Sequence, residues 1–149
     1  MDGVFAREFE QLGRAVEIGV ASGTVISVSF PSTPGGDVGR DHSLFDRIDA
    51  YLAGNADHFD DVDIGLTVPT DHRSVLEATR NVPHGETVAP ERVVRMAGLD
   101  SDDDSDRATA RTALAENPVP LFVPDHRVHD APGGAPAPVA ERLRRIESE

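Results

Sequence analysis

The spacing of apolar residues predicts short strands near the start of the chain and short helices over the rest. Two segments rich in valine and isoleucine, Ala15 to Val20 and Thr24 to Phe30, flank Ser22-Gly23, a pair typical of a β-hairpin turn. Alternating apolar positions from Val62 to Val68 indicate a strand or an extended connection. The pattern therefore predicts a lobe that contains strands and an extended segment that leads into a second lobe.

Two helices are predicted on either side of that extended segment. Ser43 can cap the first helix, which carries one apolar face and stops at Gly54. Thr70 or Asp71 can cap the second helix, which runs to about Asn81 because a proline follows two residues later.

The next part of the chain predicts two more helices and a strand. Pro90 suits the first position of a short helix that Gly98 closes. Ser105 can cap a helix from Asp106 to about Glu116, and the apolar run from Leu121 to Val123 indicates a strand. Two short helices followed by a strand are compatible with a winged helix-turn-helix.

A last helix is predicted from Pro138 onward, after a loop rich in proline and glycine. Three of its apolar residues share one side and are expected to face the core: Val139, Leu143 and Ile146.

Charge sets this chain apart from ordinary nucleic-acid-binding proteins. Acidic residues outnumber basic ones by 27 to 14, the formal net charge is -13, and every basic residue is arginine because no lysine is present. Such a surface repels itself unless salt screens it, so we interpret the composition as that of a halophilic archaeon. Because the charge also opposes DNA phosphates, any DNA contact must depend on shape, stacking and short-range hydrogen bonds.

Composition also limits the sites that the chain can contain. Without cysteine it forms neither disulfides nor thiolate metal sites, and its histidines lack the pair spacing typical of zinc, so we predict no metal and no cofactor. The aspartate-rich turn over 100–106 lacks the glycine and distal glutamate of an EF-hand and is interpreted as a solvated, helix-capping loop. No membrane span or signal peptide is visible in the 149 residues, which indicates a cytoplasmic monomer with two lobes.

Three short motifs follow one another in the second half of the chain: Val-Pro-His-Gly-Glu-Thr over 82–87, Ala-Glu-Asn-Pro-Val-Pro over 115–120 and Pro-Asp-His-Arg-Val over 124–128. In order and spacing they resemble motifs of the methylated-DNA protein-cysteine methyltransferases, which repair O6-alkylguanine by taking the alkyl group onto a cysteine. That family carries Pro-Cys-His-Arg-Val where this chain has Asp125. The chain is identified as a cysteine-less member, similar to alkyltransferase-like proteins.

The resemblance covers nearly the whole chain, from a stretch at Tyr51 to Gly54 through the terminal segment at Glu141 to Glu149. It implies an α/β (α+β) fold in two domains. A small ribonuclease-H-like lobe would occupy residues 1–66, and a winged helix-turn-helix-like alkyltransferase domain would occupy residues 67–149.

The resemblance also implies a degenerate site in which no catalytic residue is expected. Asn117, His126 and Glu149 fall where the family has its asparagine, its activating histidine and the glutamate that orients it. Asp125 beside His126 has two interpretations. The two residues form a catalytic pair, or Asp125 only accepts backbone hydrogen bonds while His126 remains as a structural relic.

Four positions are candidates for DNA binding. The family's tyrosine would fall at Pro90, and the arginine that fills the gap left by a flipped nucleotide would fall at Ala108, so both functional side chains are lost. Arg107 and Arg111, four residues apart on one helix face, are the remaining cationic candidates. Their alternative role is surface pairing with nearby acids.

Three functional hypotheses remain open. The first is a catalytically inactive homologue that binds double-stranded DNA with an alkylated base and recruits other repair proteins. The second is an interaction protein on the same fold that does not bind DNA. The third is an enzyme in which Asp125 receives an alkyl group or acts in hydrolysis, although a carboxylate is a weaker acceptor than a thiolate.

Overall fold

The computed structural model describes residues 3–33, 39, 42–57, 59 and 61–148. The chain begins with an antiparallel sheet of order β1-β2-β3, formed by β1 (Gly3–Phe9), β2 (Arg14–Ala21) and β3 (Thr24–Ser29). The predicted hairpin is confirmed, and its turn residues Ser22 and Gly23 have φ of 54° and 77°, as a type I′ turn requires. Sequence reasoning did not predict β1, whose charged residues interrupt the apolar alternation.

The five predicted helices are all present. They are α1 (Ser43–Leu52), α2 (Thr70–Thr79), α3 (Pro90–Met96), α4 (Asp104–Ala115) and α5 (Ala137–Glu147). Gly54 and Gly98 follow α1 and α3 with φ of 108° and 80°, the left-handed conformation that ends a helix most easily at glycine. None of the helices in the described ranges is long and apolar enough to span a membrane.

The caps of α1 and α4 differ from the prediction. His42 caps α1 in place of Ser43, because its ring Nδ1 accepts the amide of Leu44 at 3.2 Å. Asp103 caps α4 in place of Ser105, and its carboxylate accepts two amides of the first turn. In both cases the helix begins earlier than expected, so the cap moves upstream with it.

The predicted cap of α2 is also wrong. That helix begins after Pro69, and neither Thr70 nor Asp71 makes a side-chain capping hydrogen bond. The Asp71 carboxylate instead accepts the amide of the next residue, His72, at 2.9 Å. Both candidate residues already lie inside the helix, where a side chain cannot act as its N-cap.

Two apolar segments take less regular forms than a strand. Residues 121–123 are a buried turn rather than the predicted strand, with φ of 83° at Leu121 and one isolated bridge between Pro120 and Val123. In the segment from 62 to 68 only Ile64 forms a bridge, with Val25 of β3, so this segment is the extended connection. A short apolar run cannot by itself distinguish a buried strand from a buried turn.

Two hydrophobic clusters support these elements. The larger cluster combines residues from both predicted domains, including Ile18, Phe45, Leu76, Phe122 and Leu143. The smaller cluster joins α2, α3 and α4 through Val75, Val93, Val94, Ala110 and Leu114. The domain boundary between residues 66 and 67 stays a prediction.

Candidate functional site

The motif from Pro124 to Val128 folds as a buried turn. Asp125, His126 and Arg127 form one turn of 3-10 helix and are 3%, 2% and 3% exposed. The amide of Val128 closes the turn on the Asp125 carbonyl at 3.0 Å. Three consecutive polar residues in the interior require partners, because burying unpaired polar or charged groups is costly.

The Asp125 carboxylate is held by one side chain and one loop. Its Oδ2 accepts hydrogen bonds from Asn117 Nδ2 at 2.9 Å and from the amide of Gly134 at 2.6 Å. Asn117 is itself fixed, because its Nδ2 also donates to the Val123 carbonyl and its Oδ1 accepts the amide of Val119. The structure therefore brings Asn117 and Asp125 together.

Two glycines allow the loop after the motif to lie directly on this pair. A Cβ atom on Gly134 would come within 2.5 Å of the Asn117 carbonyl oxygen, and one on Gly133 would come within 3.0 Å of Asp125 Cγ. Real Cβ atoms essentially never come as close as 2.5 Å, so the contact at Gly134 requires glycine, whereas the 3.0 Å approach at Gly133 is tight and would force a small shift. The loop closes over the carboxylate instead of leaving space beside it.

Burial dominates the electrostatics of Asp125. It raises the pKa of the carboxyl above the ordinary value of 3.8, while the hydrogen bonds from Gly134 and Asn117 act in the opposite direction. Oδ1, unlike Oδ2, has no hydrogen-bond partner among the described residues. Asp125 is thus a buried hydrogen-bonding group rather than an exposed nucleophile.

His126 is oriented by Glu147, a residue that sequence reasoning missed. His126 Nε2 lies 2.7 Å from Glu147 Oε2, whereas its Nδ1 has no partner within the described part of the chain. The predicted Glu149 lies outside the described residues. A usable signal was present, because residue 147 follows the buried Leu143 by four positions and therefore shares its side of α5.

Glu147 also receives hydrogen bonds from three other residues. Arg127 donates from Nε and Nη2 at 2.9 Å each, the amide of Gly85 donates at 3.2 Å, and the Tyr51 hydroxyl donates to Oε2. Although burial acts to raise the pKa of Glu147, the hydrogen bonds from His126 and Arg127 hold it well below its ordinary value. Glu147 is therefore a buried anion with several donors.

Tyr51 keeps its proton in this network. Burial, and then the charge of Glu147, raise the pKa of Tyr51 far above its usual range. The side chain is 1% exposed and its ring packs edge-on against His84 at 5.8 Å. A neutral tyrosine of α1 thus donates to a carboxylate of α5.

The four DNA-binding candidates lie around one small hollow on the α3–α4 surface. The hollow has a volume of about 280 Å³. It is lined by Pro90, Glu91, Val94, Asp104, Arg107, Ala108 and Arg111. Asp125 and His126 do not line it. The two arginines therefore share a surface with the positions where the resemblance predicts lost side chains.

Both arginines of this surface are engaged within the chain. Arg107 donates to the Ser101 carbonyl at 2.9 Å and forms an ion pair with Asp104. Arg111 donates to the Asp130 carbonyl at 3.2 Å. Arg107 thus makes the contact with a nearby acid that the alternative interpretation expected, while DNA contact by these residues stays a prediction.

Two curated relatives share sequence with this chain. The methylated-DNA–protein-cysteine methyltransferase of Metallosphaera sedula is 34% identical over 85 residues, which are 57% of this chain and 51% of that protein. The protein of the same name from Methanopyrus kandleri is 33% identical over 92 residues, 62% of this chain and 66% of that protein. The match thus spans between half and two thirds of these relatives' length. No protein-family model matches the chain.

Solved structures of one bacterial protein share the fold over almost the whole chain. The O6-methylguanine methyltransferase of Mycobacterium tuberculosis superposes with a TM-score of 0.75 at 19% identity, covering 99% of this chain and 93% of that one. A structure of Mycobacterium tuberculosis OGT in complex with DNA gives a TM-score of 0.74 at 19% identity and covers 97% and 92% of the two chains. This chain is thus similar in sequence to two methylated-DNA–protein-cysteine methyltransferases and shares the fold of the Mycobacterium tuberculosis protein.

This chain has the mixed α/β fold of those structures but no cysteine anywhere in its sequence. A protein-cysteine methyltransferase takes its name from a sulfur acceptor, and a carboxylate stands in the matching motif here. The surrounding contacts agree with that replacement, because the Gly133–Gly134 loop and Asn117 both bind Asp125 directly.

Proposed function

We propose that this protein is a non-transferring member of the methyltransferase family that binds double-stranded DNA through the α3–α4 surface in a repair role. The geometry of Asp125 is the observation that carries this proposal. Its Oδ2 already accepts two hydrogen bonds, its side chain is buried, and Gly133 lies against it. An alkyl acceptor needs an approachable lone pair and room for the incoming carbon, and this carboxyl has neither.

The α3–α4 surface supports the binding part of the proposal. It carries two arginines one helical turn apart, Arg107 and Arg111, and arginine suits phosphate because its donors form a planar fork. A relative with the same fold has been solved in complex with DNA. Because Ala108 replaces the arginine that the family inserts into the duplex, we infer that binding proceeds without stable extrusion of a base.

High salt is part of the proposed binding mode. At the net charge of -13 the chain repels DNA at low ionic strength. At about 1 M salt the Debye length falls to roughly 3 Å, which removes most of that repulsion and leaves short-range hydrogen bonds to phosphate intact. Binding is therefore expected to weaken with salt far less than it does for a basic DNA-binding protein.

Intact-mass measurement tests the absence of transfer. The protein is incubated with an O6-methylguanine oligonucleotide in molar KCl and quenched rapidly in acid, since a methyl ester of aspartate hydrolyses. We expect an unchanged mass. A methyl adduct on the wild type that is missing from Asp125→Ala would establish Asp125 as an acceptor and overturn the proposal.

A duplex titration at molar KCl tests DNA binding. Matched duplexes with and without O6-methylguanine are compared, and Arg107→Ala with Arg111→Ala serves as the variant that lacks the surface cations. We expect binding by the wild type and its loss in the double variant. Equal affinity for both duplexes would show that the closed loop excludes the lesion, and tighter binding of the methylated duplex would show recognition of the lesion.

The acidic turn before α4 favours a second candidate, an interaction protein that does not bind DNA. Five exposed or half-exposed aspartates precede or begin the helix that would face a duplex: Asp100, Asp102, Asp103, Asp104 and Asp106. Their charges would oppose approaching phosphates. The same titration separates the candidates, because this one requires that neither duplex bind at any salt concentration.

A further inference from the structure

The acidic turn before α4 is fixed by its own hydrogen bonds. Asp100 Oδ1 accepts the amide of Asp102 at 2.9 Å, and the amide of Asp100 donates to Asp106 Oδ2 at 2.8 Å. Asp103 Oδ1 accepts the amides of Ser105 and Asp106 as the helix cap. These hydrogen bonds therefore hold the carbonyl and carboxylate groups of the turn in defined positions.

Arg107 is the cation that this turn binds. Its Nη1 donates to the Ser101 carbonyl at 2.9 Å, and its Nη2 pairs with Asp104 Oδ1. The Arg107 side chain is 39% exposed and that of Asp104 is 92% exposed, so both groups are at the surface. The guanidinium is nevertheless held by the turn through these two contacts.

Phosphate and carboxylate compete for a guanidinium because both accept hydrogen bonds from the same planar set of donors. Arg107 already uses two of its nitrogen atoms on the turn. A phosphate that binds both terminal nitrogen atoms of Arg107 as a bidentate partner must therefore compete with the Asp104 contact. Arg111 differs, since its side chain donates to the neutral backbone carbonyl of Asp130 and forms no ion pair within the described residues.

We propose that the acidic turn shields the DNA-binding surface: Asp104 and the Ser101 carbonyl hold the Arg107 guanidinium and lower the affinity of this surface for the phosphates of double-stranded DNA. This inference rests on the proposed function, because it takes a duplex as the ligand. Asp104 competes with DNA phosphate for the Arg107 guanidinium within the same chain. Arg107 becomes available to phosphate only when its ion pair with Asp104 opens.

Asp104→Asn tests the shield, with Asp102→Asn as the matched control. Each variant removes one negative charge from the same turn, but only Asp104 pairs with Arg107; Asp102 makes no ion pair within the described ranges. Since exposed ion pairs are worth at most about 1 kcal/mol, we expect Asp104→Asn to bind a duplex about two- to fivefold more tightly than Asp102→Asn at moderate KCl concentration. Asp103 is intact in both variants, and equal thermal midpoints would show that the helix is kept.

The same comparison in an Arg107→Ala background decides the mechanism. The difference between Asp104→Asn and Asp102→Asn should vanish there, and it should persist in Arg111→Ala. Equal affinities of the two variants, or a difference that survives without Arg107, would overturn the shield while leaving DNA binding established. Binding by Asp104→Asn alone would support the shield, whereas failure of every variant to bind would overturn both the shield and the proposed function.

Discussion

Asp125 places a carboxyl group in the interior, where its two oxygen atoms have different surroundings. Oδ2 accepts two hydrogen bonds, from Asn117 and Gly134, while Oδ1 has no partner in the described part of the chain. A buried charge with an unsatisfied oxygen is unfavourable, and a neutral carboxyl reduces that cost. The upward shift of the Asp125 pKa has this physical origin.

Asp125→Asn should therefore increase stability, more so at higher pH. Because the folded pKa of Asp125 lies above its ordinary value of 3.8, its favourable contribution is fully present below that value and is lost as pH rises through the folded pKa. The amide mimics the neutral acid and can still accept hydrogen bonds from Asn117 and Gly134. Urea unfolding at about pH 8 and about pH 5, in constant molar KCl, measures the difference.

The control for this experiment is Asp102→Asn, which removes the same charge from the surface. The prediction would be contradicted if the free energy of unfolding of the wild type rose relative to that of Asp125→Asn as the pH increased. That result would mean that the ionised carboxylate is the favoured state of Asp125 in the fold.

At the scale of elements, Glu147 links three segments that are distant in sequence. It accepts from Tyr51 of α1, from His126 and Arg127 of the 3-10 turn, and from the amide of Gly85 before α3. The network therefore fixes the geometry of the turn that contains His126 and Arg127.

Glu147→Gln should destabilise the protein by about 3–5 kcal/mol, because it leaves the buried Arg127 without its charge partner. Since hydrogen bonds hold the pKa of Glu147 below its ordinary 4.5, its contribution is present above that value and is lost as pH falls below it. The free energy of unfolding of Glu147→Gln should therefore fall less than that of the wild type as the pH is lowered. Urea titrations across the acid range measure both effects.

Tyr51→Phe is the milder comparison for the same network. It removes the hydroxyl's hydrogen bond to Glu147 and its 3.4 Å contact with His126 Nε2, and it keeps the Arg127–Glu147 pair, so the expected loss is about 1–2 kcal/mol. A loss as large as that of Glu147→Gln would assign the network's stability to the hydroxyl and not to the ion pair.

The cap of α4 is a second property of an element. Asp103→Ala should lower the free energy of unfolding by about 1 kcal/mol, because two amides of the first turn lose their acceptor. Asp102→Ala removes an equal charge without removing a cap, and it should change stability much less. Equal losses in the two variants, measured by urea unfolding, would mean that charge and not capping sets the effect.

At the scale of the whole molecule, the net charge of -13 is unfavourable for the compact state. Potassium chloride should raise the thermal midpoint from dilute buffer to molar concentration, by roughly 4 °C for each kcal/mol of relieved repulsion. Sucrose of equal osmolality is the control for effects of water activity. A midpoint that rises equally in sucrose would show that charge repulsion is not the cause.

Several features could be read from the sequence because they depend on neighbouring residues. The β2–β3 hairpin follows from Ser22-Gly23 between two apolar segments, and α3 follows from Pro90 at its start and Gly98 after its end. β1 and the turn at Leu121 were not predicted, because their form depends on pairing with β2 and on packing in the core. The same limit explains the displaced caps at His42 and Asp103.

The sequence by itself showed the resemblance to the methyltransferases, through motifs in a fixed order, and it determined that no thiol can act as acceptor. Only the tertiary structure decided that Glu147 orients His126 and that Gly134 closes on Asp125. The reason is physical. A motif specifies which groups the chain carries, whereas their partners, burial and protonation are set by segments that folding brings together from far along the chain.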